Sequence, residues 1–312
     1  MKNRQFRSAF SMIELLFVIV ILGIIGGIAL ETIRQYYENI YRTQEYTKRV
    51  SQADHILDQV SKYFENAITS SIVNLDRGVN TDCYGPPTAG DANDYTVAFV
   101  APDYDSLRAS GAPGWNEDTV LGANNVLTAL DANFTNAGNI INTLDPNSNA
   151  NLTNSAVYDT DSADVATCNR FGMNGGAIGS AGYHRIAGST ATTLTLNTEN
   201  NTTNGKRKYL LRTGYAFRVL DNGNFMMYSN FRPWEGGRYN TAANRRENIL
   251  GQNVAHFYAD YNATDFMANA NLNDRGLVWR LKVCMRGIDS NLSDADAEGQ
   301  TICRERRVHV RY

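Results

Sequence analysis

The chain has 312 residues, of which 43% are hydrophobic and 20% charged, and its formal net charge at pH 7 is −3. This length leaves room for one large domain or two small ones. The slightly acidic balance does not favour a nucleic-acid partner. No Ser-His-Asp order, phosphate-binding loop or other catalytic motif is recognisable, so we expect no enzymatic activity.

The N-terminal segment carries the strongest signal in the sequence. Three cations, Lys2, Arg4 and Arg7, precede an apolar run at 10–30 whose only charged residue is Glu14. The run has the length of about 20 residues that a helix needs to span a bilayer. A carboxylate inside such a run costs several kcal/mol unless it is paired, so we expect Glu14 to have a positively charged partner.

This segment has three interpretations. An ordinary membrane anchor would be oriented by its cations, with the N-terminus in the cytoplasm. A removable secretory signal would use Gly27 and Ala29 as small residues before its cleavage site, but helical periodicity continues well beyond Ala29. The third interpretation also explains the carboxylate. A short basic leader ending at Ala9, then FSMIE at 10–14 and an apolar helix, resembles the class III leader and N-terminal helix of type IV pilins and type II secretion pseudopilins.

The resemblance implies that residues 1–9 are a leader peptide, and that a prepilin peptidase cuts between Ala9 and Phe10 and N-methylates Phe10. Family members usually have Gly where this chain has Ala9. The resemblance also implies that Glu14 pairs with the N-terminal ammonium of a neighbouring subunit. Two opposite charges in an apolar helix bundle recover together part of the desolvation cost that each carries alone. The implied partners are other filament subunits, the peptidase and an inner-membrane assembly platform.

The absence of a proline from the N-terminal helix indicates which members of the family this chain resembles. Major type IV pilins usually have a proline near the position that Glu31 occupies here, so this long chain resembles minor pilins and minor pseudopilins more closely. The implied location is a single span in the bacterial inner membrane with a periplasmic head. Incorporation into a pilus or pseudopilus would follow, and a pilus would carry the head to the cell surface. The alternatives are a tip subunit that binds a surface, a substrate or DNA, and a plain single-pass anchored protein.

Amphipathic spacing extends the helix beyond the apolar run. Between Ile33 and Ile68 apolar residues recur every three or four positions, and neither Pro nor Gly occurs from residue 28 to residue 77. We therefore predict one helix with a membrane or filament half at 10–30 and an amphipathic half at 31–72. Its length would be roughly 95 Å.

Residues 73–312 have the pattern of a β-rich head. The clearest prediction is a hairpin, in which a turn containing Gly223 joins strands at 215–220 and 225–228. Other predicted strands cover residues 95–100, 192–196, 277–286 and 307–312. The predicted fold class is α+β, with the long helix packed on an antiparallel sheet.

Two parts of the head are less regular. The stretch 247–261 fits a helix and a strand equally well. An insertion at about 103–207 is rich in Asn, Ala, Thr and Gly and has few large apolar residues. We predict that it forms exposed loops and short strands and contributes no core.

The four cysteines fit an exported protein, because disulfides persist outside the cytoplasm. No two of them have the C-x-x-C spacing of zinc or thioredoxin-like sites. Four cysteines allow three pairings. We favour Cys83 with Cys168 and Cys284 with Cys303, because each pair brackets a polar, loop-like segment.

Two acidic clusters are candidate calcium sites, one at Asp159, Asp161 and Asp164 and one near the C-terminus, and we favour the second. Carboxylate oxygens suit calcium, although the spacing is not that of an EF-hand, and a solvated acidic loop is the alternative interpretation. We expect no other cofactor. The candidate ligands are Asp289, Asp294, Asp296 and Glu298.

Overall fold

The chain forms one long N-terminal helix followed by a head of antiparallel strands. The computed structural model describes residues 11–76, 80–82, 96–103, 105, 120–121, 125–128, 133–144, 151–159, 172–173, 183–197, 208–261, 278–287 and 301–310.

The long helix, α1, runs from Met12 to Phe64. It ends before the predicted limit near Ile72, and the reason lies in tertiary contacts. The backbone N–H of Ile68 donates to the carbonyl oxygen of Val100, on a neighbouring strand, at 2.9 Å. Only a 3-10 turn follows, at Thr69–Ser71, and there the Ser71 hydroxyl donates to the carbonyl oxygen of Ile68 at 2.6 Å and so competes with the bonds of a helix.

The strands form two sheets within the described residues, and every pairing is antiparallel. The larger sheet contains β1 (Val73–Asp76), β2 (Asn80–Asp82), β3 (Thr96–Pro102), β4 (Val120–Leu121), β5 (Val126–Thr128), β6 (Ala156–Asp159), β7 (Tyr183–Ser189), β8 (Thr193–Leu196), β9 (Lys208–Val219), β10 (Phe225–Phe231) and β11 (Arg246–Gly251). The smaller sheet contains β12 (Val254–Tyr261), β13 (Val278–Met285) and β14 (Ile302–His309).

Strand β9 organises the larger sheet, whose order is β2-β1-β3-β9-β6-β7-β8-β5-β4. One edge of β9 pairs with β3. The other edge is divided, because β6 pairs with the first part of β9, at Leu211, and β10 pairs with the second part, at Val219. Strand β11 continues the sheet from β10.

The predicted hairpin is confirmed. Val219 in β9 lies opposite Phe225 in β10, and Gly223 in the turn has a φ of 80°. The undecided stretch 247–261 forms two strands, β11 and β12, in different sheets, with Asn253 between them at a φ of 60°. The head therefore has two sheets where one was predicted.

The amphipathic half of α1 packs against both sheets. Ile56 and Leu57 are buried in this contact. The ring centroid of Phe64 lies 4.8 Å from that of Phe99 in the larger sheet and 6.2 Å from that of Trp279 in the smaller sheet. A single stripe on the helix is therefore the common core of the head, and the α+β class is confirmed.

The insertion differs from its prediction, because its described part has a core. A second helix, α2 (Phe134–Leu144), places Phe134, Ala137 and Ile141 on one face, and all three are buried. Few apolar residues suffice here, because helical spacing gathers them on one side. The cluster comprises Leu127, Phe134, Ile141, Leu152, Val157, Ile186, Leu194, Leu196 and Leu210.

We predict that Gly251→Ala loosens the contact between α1 and the head. A Cβ at Gly251 would lie 2.9 Å from Cγ1 of Ile56 and closer still to its Cδ1. Overpacking of this kind costs about 1–3 kcal/mol. The measurement is chemical unfolding of the full chain in detergent micelles.

The matched control is Gly188→Ala, where the nearest atoms to a new Cβ lie 3.9 Å away. We expect the control to keep wild-type stability. Equal stability of the two variants would contradict the packing assigned to Ile56.

Candidate assembly helix and a cavity at its end

The N-terminal half of α1 has no cover within the described structure. Among the described residues this is the one helix long and apolar enough to cross a membrane, judged by length and composition. Leu16, Phe17 and Leu22 are about 60% exposed. A continuous apolar surface of this extent is unfavourable in water, so it requires lipid or other helices around it.

Glu14 lies in the first turn of α1. Ser11 is the N-cap residue, and its hydroxyl accepts a hydrogen bond from the Glu14 backbone N–H at 3.3 Å. Ser followed three residues later by Glu is the signature of a capping box, and a carboxylate here also meets the positive end of the helix dipole. The Ser-x-x-Glu spacing indicates this capping of the helix start, but the sequence analysis did not predict it.

The middle of α1 carries a solvated face. Its charges pair along the helix, with Glu38 Oε1 lying 3.9 Å from Arg42 Nη2. Tyr36 and Tyr37 follow the apolar run and are each more than 60% exposed. Tyrosines are enriched at the ends of membrane-spanning helices, and the position of these two rings is compatible with a span that ends near them.

Two ion pairs join the docked half of α1 to the C-terminal strand β14. Arg304 Nε lies 3.0 Å from Asp54 Oδ1, and this hydrogen bond raises the pKa of the guanidinium. Arg306 pairs in the same way with Asp58. The four residues from Asp54 to Asp58 span about 6 Å along the helix, and the two from Arg304 to Arg306 span about 6.6 Å along the strand. The two spacings match, so both ion pairs can form at once.

These pairs bear on the alternative of DNA binding, because Arg304 and Arg306 belong to a C-terminal strand rich in arginine. The guanidinium groups of Arg304 and Arg306 are engaged by carboxylates of the same chain. They are therefore less available to phosphates than the sequence alone indicated.

A disulfide lies next to the ion pairs. Cys284 in β13 and Cys303 in β14 are directly opposite each other and are bonded, with their Cα atoms 4.0 Å apart. This predicted pair is confirmed, and it fixes β14 to β13 immediately before Arg304. The other predicted pair, Cys83 with Cys168, lies outside the described residues.

Other predicted site residues also lie outside the described part of the chain. They include the proposed cleavage point at Ala9 and Phe10. Within the described ranges, no group of three or more His, Cys, Asp or Glu side chains could hold a metal ion. The candidate calcium ligands Asp289, Asp294, Asp296 and Glu298 are outside those ranges.

A cavity of about 440 Å³ lies at the end of α1, between the helix and the larger sheet. Asp103 is buried on one wall, and its Oδ2 lies 3.4 Å from Arg212 Nε. Tyr63 of α1 and Tyr215 of β9 also line the cavity, with ring centroids 5.2 Å apart. Our reading of the sequence did not detect this site, because its residues come from distant segments.

Burial raises the pKa of Tyr215 to about 12; Arg212 opposes the shift and Asp103 adds to it. The phenol is therefore neutral at physiological pH. Tyr215 is one of the residues that line the cavity.

No family model, no curated protein and no solved structure matches the chain.

Replacement of both Cys284 and Cys303 by Ala is predicted to lower the free energy of unfolding. A closed loop with a separation of 19 residues restricts the unfolded chain, and the loop-entropy model values such a closure at about 3 kcal/mol. Denaturant unfolding of the oxidised full chain measures the loss. A variant as stable as the wild type would contradict the stabilising role.

The raised pKa of Tyr215 predicts a loss of stability at alkaline pH. The folded chain keeps this proton up to about pH 12, whereas the unfolded chain releases it near the ordinary tyrosine pKa of 10.0. The contribution is complete below pH 10 and is lost as the pH rises through 12. At about 1.4 kcal/mol per pKa unit it amounts to about 2–3 kcal/mol.

The test measures the free energy of unfolding of the wild type and of Tyr215→Phe between pH 9 and pH 12. We expect this free energy to fall less steeply with pH in the variant. Tyr41→Phe, which changes an exposed helix residue, is the control and should keep the wild-type decline. Identical declines in all three proteins would contradict the assignment.

Proposed function

We propose that this chain is a non-enzymatic filament subunit, a minor pilin or pseudopilin of a type IV pilus or a type II secretion system. The observation that carries the proposal is Glu14, the one charge near the start of an uncovered apolar helix. The long helix, the antiparallel head and the disulfide are compatible with a pilin-like architecture.

The division of α1 supports this proposal. Its second half is occupied by the head from Ala53 onward, whereas its first half has an exposed apolar surface. Lipid would cover that surface before assembly, and the helices of other subunits would cover it in a filament. The same surface can therefore serve both as an anchor and as the assembly interface.

Glu14 would supply the specificity that apolar packing lacks. Apolar helices slide past one another at little cost, but a carboxylate and an ammonium inside the bundle are favourable only when they meet. In the proposed mature chain the ammonium belongs to Phe10 of a neighbouring subunit. The pair would therefore set the axial register of each added subunit.

Maturation gives the first test. Co-expression with a prepilin peptidase is expected to yield a chain that begins at an N-methylated Phe10, as measured by N-terminal sequencing and intact mass. Because the family usually has Gly before the cut, Ala9→Gly should be processed at least as fast as the wild type. A chain that begins at Met1 or after Ala29 would contradict the pilin assignment and favour a plain anchor or a cleaved signal.

Assembly gives the second test, and the capping box provides a sharp variant. Glu14→Gln removes the charge but keeps a side chain that can complete the cap. We expect normal membrane insertion and roughly tenfold or greater loss of the subunit from sheared filaments, since an ion pair worth about 1.4 kcal/mol changes an equilibrium tenfold.

Two matched variants separate charge from local structure. Ser11→Ala removes the capping hydroxyl and keeps the charge, and Glu31→Gln removes an exposed carboxylate further along the same helix. Both should enter filaments at levels close to the wild type. Normal incorporation of Glu14→Gln would refute the ion-pair role.

A further inference from the structure

The cavity at the end of α1 has no part in the proposed assembly. It opens between the last turns of the helix, at Gln59 and Lys62, and the strands that carry Asp103 and Arg212. Its volume of about 440 Å³ falls within the range of small-molecule sites.

The walls of the cavity combine flat aromatic surface with fixed polar groups. Tyr63 and Tyr215 supply the rings, which are partly buried against the core. Asp103 and Arg212 hold each other in place in a largely buried pair, so their orientation is set before a ligand arrives. Preorganised groups lose little freedom on binding, which favours recognition of small ligands.

Charge balance limits the chemistry of the occupant. Among the described residues of the lining, Lys62 and Arg212 are matched by Asp103 and Asp105, so these side chains together offer no net attraction to an ion. A purely apolar ligand would strip water from these polar groups without replacing its hydrogen bonds, which is costly. The occupant must therefore be neutral and able both to donate and to accept many hydrogen bonds.

A sugar meets these requirements. Each sugar hydroxyl can donate and accept hydrogen bonds. This suits a lining that contains the carboxylate of Asp103, the guanidinium of Arg212 and the amide of Gln59. Tyr215, which lines the cavity, adds a neutral hydroxyl that can donate or accept. The C–H faces of a pyranose match the two tyrosine rings, in the amphipathic manner typical of aromatic side chains in binding sites.

We propose that the cavity between α1 and the larger sheet binds a neutral mono- or disaccharide through Tyr63, Tyr215, Asp103 and Arg212. This site does not depend on filament assembly. If the chain does enter a filament, the site would allow the head to attach to glycans.

The test uses the mature full chain in a zwitterionic detergent without a sugar headgroup, because maltoside detergents would compete. Saturation-transfer NMR is recorded with glucose, galactose, N-acetylglucosamine, maltose and lactose, and with glucuronate and glucosamine as charged probes. We expect transfer to at least one neutral sugar, and weaker transfer to both charged probes.

Variants assign the signal to the cavity. Tyr63→Ala should lower the affinity at least fivefold. Tyr215→Phe keeps the ring but removes the hydroxyl, and should lower affinity about twofold to tenfold, the value of one hydrogen bond. Tyr41→Ala, on the exposed helix face, is the control and should bind like the wild type. Thermal unfolding of each variant confirms that it is folded.

Lys62→Met alters an exposed side chain at the cavity, so it keeps the proposal testable if Tyr63→Ala fails to fold. It should weaken binding without loss of stability. Absence of transfer to every neutral sugar would overturn the proposal. So would stronger binding of a charged probe, or binding unchanged in both Tyr215→Phe and Lys62→Met.

Discussion

The packing of one helix stripe against two sheets is the contact on which the rest of the structure depends. The ring of Phe64 touches Phe99 from the larger sheet and Trp279 from the smaller one, and the two sheets also meet where Phe225 lies 4.8 Å from Phe257. Removing the helix would expose both inner faces at once. The head and the docked half of α1 are therefore one cooperative unit, with the apolar half of the helix as an extension.

The ion pairs on the outside of this core determine alignment more than stability. Exposed pairs such as Asp54 with Arg304 contribute little to stability, because water and salt screen their charges. Their value lies in their spacing, because a slip of one helical turn would leave only one aspartate opposite an arginine, whereas the observed alignment forms both pairs. The disulfide of Cys303 fixes β14 just before these arginines and so holds their position along the helix axis.

Local signals in the sequence predicted local structure well. The hairpin at Gly223 was predictable because a positive φ is needed at one position in the turn and its neighbours are β-formers. The end of α1 was not predictable, because the bond from Ile68 to Val100 joins segments far apart in the chain. The small core around Phe134 and Ile141 was missed because its few apolar residues are diluted by Asn and Thr.

The same distinction applies to the candidate sites. Glu14 and its surroundings lie within one turn, so the sequence pointed to them directly. The cavity joins Tyr63 to Asp103 and Tyr215, and only the antiparallel pairing of β3 with β9 brings these residues together. Periodicity cannot reveal a site of this kind, because each contributing segment reads as an ordinary helix end or strand.

The free energy that Glu14 gains from the helix dipole is smaller than the cost of placing its charge in hydrocarbon, and this difference favours a positively charged partner. A carboxylate in the first turn of a helix gains about 0.3–1 kcal/mol from the dipole. A charged side chain within the hydrocarbon costs several kcal/mol, and translocon-based scales give about 2.5–3.5 kcal/mol at the centre of a span. The cap from Ser11 therefore accounts for where the helix begins but not for the presence of a charge there. A Gln would cap as well at lower cost, so the presence of a carboxylate supports the proposal that a cation meets it during assembly.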